Sequence, residues 1–139
     1  LASPPQADQG GRIHPTILAA AGMRRLGIHS WPGVTFRPLK FEESVPVVGQ
    51  GAIAIQCRTD LAAQLAPALD AATFRNVTLE RAFQAQIGGG CQVAFAAHAT
   101  DDTLHFFHER TGIRRFPLTA ADFAAPQQTA ARILKELGF

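Results

Sequence analysis

The second half of the sequence predicts an α+β fold, a three-stranded antiparallel sheet with helices on one face over residues 70–139. Three observations carry it. Leu79, Ala82, Phe83 and Ile87 recur at helical spacing. Val93, Phe95, Ala97 and Ala99 then alternate, and the polar triplets Thr100-Asp101-Asp102 and Arg110-Thr111-Gly112 mark two turns between strands. Ala130, Ile133, Leu134 and Leu137 restore helical spacing near the end.

The elements follow in order. Leu1 to Gly11 is polar and rich in Pro and Gly and reads as a mobile lead-in. Pro15 to Ala21 is an apolar run closed by Gly22, as in a buried strand, and Met23 to Leu26 fits one helical turn stopped by Gly27. His29 to Val45, with Pro32, Gly33 and Pro38, reads as a loop. Ala52 to Cys57 is small or apolar on both faces, the pattern of an interior strand. Thr59 or Asp60 can cap a helix over Leu61 to Leu69, which Pro67 would shorten or kink.

Asp70 or Asn76 can cap the next helix, and Gly88-Gly89-Gly90 ends it. Strands are expected over Gln92–Ala99, Leu104–Glu109 and Ile113–Leu118. Thr119 with Asp122 resembles a capping box, and Gly138 closes the last helix. This half is self-contained. The first half is not: its strand segments read as belonging to α/β domains that are mostly missing.

Composition narrows the function. The chain has 139 residues, of which 47% are hydrophobic, enough for a core. Its net charge of +2 is too mild to argue for nucleic acid, and its basic residues are paired or scattered rather than clustered. No apolar run is long enough for a membrane span, and the start does not read as a signal peptide. Two cysteines, Cys57 and Cys91, make no disulfide framework and no Cys-x-x-Cys motif. A cytoplasmic protein with free thiols is expected, with no nucleic-acid or membrane partner.

Gly88-Gly89-Gly90-Cys91 is the most pointed motif. A thiol on a glycine-rich loop past a helix end is reachable by a bulky ligand. On spacing alone, the plainer reading is that the glycines cap the helix and Cys91 opens a strand as a small apolar residue. Cys57, on an apolar strand face, reads as a buried structural thiol. Gly49-Gln50-Gly51-Ala52 is a turn whose N–H groups can meet an anion or a polar ring edge, or simply a turn. Arg24 and Arg25 follow a strand end, where ligand groups gather in α/β sheets, or form a solvated pair. Arg81 is expected at the surface. The five histidines show no metal spacing, and no catalytic triad or carboxylate pair can be argued.

Three stretches together resemble porphobilinogen deaminase (hydroxymethylbilane synthase). Ile17-Leu18-Ala19-Ala20-Ala21-Gly22-Met23-Arg24-Arg25-Leu26-Gly27 is similar to the family's apolar strand and Arg-Leu-Gly turn. Pro46 to Arg58 is similar to its Val-Gly-Gln-Gly-Ala strand ending in Cys-Arg. Glu80-Arg81-Ala82-Phe83 followed by Gly89-Gly90-Cys91-Gln92-Val93 is similar to its cofactor-attachment segment.

The resemblance implies the C-terminal part of a transferase of tetrapyrrole, porphyrin and heme biosynthesis. The family joins four porphobilinogen molecules into the linear tetrapyrrole hydroxymethylbilane, releasing ammonia. It implies a dipyrromethane cofactor on a thioether to Cys91, with Arg25 binding acidic pyrrole side chains and Gln50, Gly51 and the backbone at Ala19 lining the cleft. It implies no catalytic residue in this chain, because the family's catalytic Asp lies in the first domain. The expected partners are porphobilinogen and a missing N-terminal portion, or a second copy of the chain. Residues 12–46 resemble the end of the family's middle domain, 47–68 the segment re-entering the first, and 70–139 the cofactor-carrying third. The sequence departs from the family at Ala94-Phe95-Ala96, usually Pro-Ile-Gly, at Gln56, usually Glu, and at His98, usually Tyr. The other reading is a non-catalytic remnant that serves as a small binding or oligomerising module.

Overall fold

The computed structural model describes residues 15–88 and 92–139. The lead-in expected over Leu1–Gly11 lies outside them. The chain divides into two compact units, Leu1–Pro38 and Leu39–Phe139, each taken by itself.

In the first unit, helix α1 spans Ala20–Arg25. Arg24 and Arg25 occupy its last turn, where a cation meets the negative end of the helix dipole. Gly27, at φ +66, turns the chain out, and the Ile28 N–H donates to the Met23 carbonyl at 3.0 Å. A turn follows in which Trp31 and Val34 bridge.

The buried strand expected at Pro15–Ala21 is absent. Residues 15–19 are irregular, and Ile17 and Leu18 are 76% and 57% exposed. A strand needs a neighbour to complete its ladder, and the described residues of this unit contain no other strand. Local bonds win instead, beginning with Met23 N–H to the Ala19 carbonyl.

The second unit holds the expected α+β arrangement. Its helices are α2 (Ala62–Leu65), α3 (Ala71–Ile87), α4 (Ala120–Ala124) and α5 (Pro126–Glu136). Strands β1 (Phe95–Ala99), β2 (Thr103–His108) and β3 (Gly112–Pro117) form an antiparallel sheet in that order. One face, from Ala97, Ala99, Leu104 and Phe106, packs on Leu79, Ala82 and Phe83 of α3 and on Ala130, Ile133 and Leu134 of α5. Both helical stripes therefore bury the residues their spacing selects.

The caps explain the helix boundaries. Asp70 accepts the Thr73 N–H at 2.6 Å, and this bond holds its carboxyl below the ordinary carboxylate value. Thr119 and Asp122 form the expected capping box. Burial pushes the Asp122 carboxyl up, but the Thr119 hydroxyl and N–H and the Arg132 guanidinium together bring it down.

Three expectations before α3 are corrected. Ala52–Cys57 is irregular rather than an interior strand, with Ile53 89% and Ile55 60% exposed. Its two apolar faces have no flanking strand among the described residues. Cys57 is accordingly exposed, not buried. Neither Thr59 nor Asp60 caps a helix: the N-cap ahead of the Thr59–Leu61 turn is Arg58, and Asp60 pairs with the Arg58 guanidinium at 3.0 Å. Pro67 confines the helix to α2 and a following 3-10 turn, Ala66–Ala68.

The loop reading for His29–Val45 misses a packing role. Within the second unit, the ring of Phe41 lies 5.1 Å from that of His98 and 4.4 Å from that of His105, on the sheet face away from the helices. Glu43, Ser44, Val45 and Val47 line a cavity with Ala96, Phe107 and Ile113 of that face. The sheet is thus covered on both sides, by helices and by an irregular strap.

Phe83 is fully buried and touches Phe106, so Phe83→Ala should cost about 3–5 kcal/mol in urea unfolding. Ile53→Ala should stay within about 0.5 kcal/mol, as for an exposed side chain. Equal losses at both positions would mean that Ile53 is buried in solution.

Candidate functional site

The site grows from one misplaced-looking charge. Glu80 lies on α3 and is only 2% exposed. A buried carboxylate survives only if its oxygens are bonded. Oε1 accepts the Ala99 N–H of β1 at 2.9 Å, and Oε2 accepts the Gly49 N–H at 2.7 Å. His98 Nδ1 stands 3.2 Å from Oε1 but makes no aligned hydrogen bond to it.

Gly49 begins the part of the site that the sequence singled out. Gln50 N–H donates to the Val47 carbonyl at 3.0 Å, and Ala52 N–H to that of Gly49 at 3.1 Å. Gly49 and Gly51 sit at φ +71 and +83, a conformation that L side chains avoid. Val48, next to them, packs against the core. The turn forms one lip of an open cavity of about 220 Å³. Gln50, Gly51 and Ala52 line one side; Thr73, Asn76, Val77 and Glu80 of α3 and His98 and Ala99 of β1 line the other. The walls offer an amide, a hydroxyl, an imidazole and backbone groups to a small polar ring. Among the described residues, no group of three His, Cys, Asp or Glu is placed to hold a metal.

The sequence-selected residues fall in three places. Gln50 and Gly51 are together at this cavity. Ala19 and Arg25 belong to the other unit, Ala19 as the N-cap of α1 and Arg25 in its last turn, both exposed. Arg24 and Arg25 thus end a short helix, not a strand. Cys91 lies outside the described residues; α3, the helix before it, ends at Ile87, and Gly88 leaves at φ +68. Arg81 is exposed, as expected.

Sequence reasoning missed Glu80 and His98. The signal for Glu80 is its spacing: Asn76, Glu80, Phe83 and Ile87 keep the period of the buried stripe. His98 was noted only as a departure from a family Tyr.

Residues 6–66 match the family model described as "Porphobilinogen deaminase, dipyromethane cofactor binding domain". A porphobilinogen deaminase of Bordetella parapertussis is 46% identical over 89 residues, 62% of this chain and 27% of the relative. One of Bacillus mycoides is 49% identical over 88 residues, 60% of this chain and 28% of the relative. Over these stretches the chain is similar to porphobilinogen deaminases. It spans a little over a quarter of the length of these porphobilinogen deaminases. The stretch matched by the model named for cofactor binding contains Ala19, Arg25, Gln50 and Gly51; Cys91 lies beyond it. No helix among the described residues is long and apolar enough to cross a membrane.

Beside this cavity, His105 faces His98 across the β1–β2 pair. It is 5% exposed, and its Nδ1 has no hydrogen-bond partner among the described residues. Burial, then the Arg115 guanidinium and His98, lower its pKa below the ordinary 6.5; Glu42 and Asp102 oppose them. The unfolded chain therefore binds this proton at higher pH than the folded one. Stability should fall as pH drops below about 6.5 and be fully present above it. Urea midpoints for wild type and His105→Phe between pH 5 and 8 check this: the variant should lose part of the slope. Parallel profiles would show that His105 does not titrate differently on folding.

Proposed function

We propose that this chain is the C-terminal portion of a hydroxymethylbilane synthase. It would supply the cofactor cysteine and one wall of the cleft in which four porphobilinogen units are joined, with loss of ammonia, into hydroxymethylbilane. The observation that carries this reading is the Gly49–Gly51 turn. The residues that resemble the family's Val-Gly-Gln-Gly-Ala motif stand at the lip of an open cavity, fixed to the helix that leads towards Cys91.

In this reading Cys91 bears the dipyrromethane by a thioether, and the bound primer supplies the end to which porphobilinogen is added. Gln50 and Gly51 meet the polar edge of a pyrrole ring. Arg25 binds pyrrole carboxylates, a task that suits a guanidinium fork, and the backbone at Ala19 completes the lining. At about 220 Å³ the cavity is smaller than sites that enclose a drug-sized ligand, roughly 300–1,000 Å³. It fits one ring of the primer, and the remainder of the cleft belongs to the longer protein.

The general acid that helps ammonia leave is an Asp of the preceding portion. By the same reading, residues 12–46 close the middle domain, 47–68 re-enter the first and 70–139 form the third. The exposed Ile17, Leu18, Ile53 and Ile55 suit strands awaiting that portion, or a second copy of the chain. The setting is cytoplasmic.

The test is complementation. The 139-residue chain is co-expressed with the part of the Bordetella parapertussis relative that it does not match, and given porphobilinogen. Linear tetrapyrrole should form, and intact mass should rise by two pyrrole units on the peptide containing Cys91. Cys91→Ser should abolish both, and the chain by itself should make no tetrapyrrole. Because Cys57 is exposed, a peptide map is needed: an adduct on Cys57, or none at all in the pair, would favour a non-catalytic remnant.

A further inference from the structure

We infer that Glu80 is the positioning residue of the Gln50–Gly51 turn, an inference that rests on the role proposed for that turn. After the turn, residues 52–58 are irregular and exposed, so no strand ladder holds it from that side. Ahead of it, Val48 is held by apolar contact, which is not directional. The Glu80 carboxylate is different. It is a charge-assisted acceptor at 2.7 Å from the Gly49 N–H, and its other oxygen is fixed by the Ala99 N–H of β1 at 2.9 Å.

One side chain therefore ties the glycine turn at once to α3 and to the sheet. The same helix ends at Ile87, four residues before Cys91. Glu80 touches no proposed reacting atom. It sets where Gln50 and Gly51 stand relative to the rest of the cavity wall, and thereby how well they meet a pyrrole.

Glu80→Gln tests this in the full 139-residue chain. The new NH2 group must face one of the two N–H donors, and Gly49, on the less anchored segment, is the one expected to lose its acceptor. Amide exchange by NMR should quicken at Gly49 by about tenfold or more, while Leu104 and Phe106 in the core stay protected and report the fold. Porphobilinogen, titrated against the Gln50 and Gly51 resonances, should bind several-fold more weakly than to wild type. In case the variant does not fold, the wild-type chain gives an independent reading: a scalar coupling across the hydrogen bond, from the Gly49 nitrogen to the Glu80 carboxyl carbon. Absence of that coupling, or unchanged exchange at Gly49, overturns the tether. A freed turn with unchanged porphobilinogen affinity overturns the positioning role. If wild type shows no response to porphobilinogen, the positioning role is overturned; coupling and exchange still decide the tether, and complementation decides the functional reading.

Discussion

The second unit depends on how the Glu80 carboxylate is satisfied. Taking a carboxylate out of water costs several kcal/mol, and only well-aligned donors offset it. Here both donors are backbone N–H groups that would otherwise lack partners. One is the outward N–H of β1, the edge strand next to α3; the other belongs to a turn without a ladder. A single acid thus solves three problems of burial together. The solution also removes freedom, since the turn, the helix and the sheet edge must now keep their spacing.

Around that point the sheet is packed by helices on one side and partly covered by the strap on the other. Its helix-facing side is a conventional core, in which Phe83, Phe95 and Phe106 meet at tilted angles. Its other side carries Ala96, His98, His105 and Phe107 under the strap that includes Phe41. His105 suits that second side because burial disfavours its charged form while its ring packs on Phe41. The cost is a buried Nδ1 on His105 and a neighbouring Arg115 that disfavours its protonation.

Family likeness and architecture fit together in an uneven way. The family model matches residues 6–66, where the described chain has few regular elements, and stops before α3 and the sheet that build the core. The stretch that the family model matches includes the glycine turns and the exposed apolar segments. Those segments gain a physical purpose if they complete surfaces supplied by a longer protein.

The sequence by itself determined the α+β unit. Two apolar stripes at helical spacing, an alternating run, two turn triplets, the Asp70 cap and the Thr119–Asp122 box are local signals, and each is realised by neighbours in the chain. Pro15–Ala21 and Ala52–Cys57 carry strand patterns without forming strands, because apolar patterning records what a segment can bury, and pairing depends on a partner that the pattern does not contain. The Gly49–Gly51 turn was legible from its glycines, but its anchor was not. Glu80 lies in the buried lane of its helix, but nothing in the sequence marks it as buried, because the two backbone donors that converge on it come from distant segments. Only tertiary structure brings Gly49 and Ala99 to the same carboxylate, and that convergence makes burying the charge affordable.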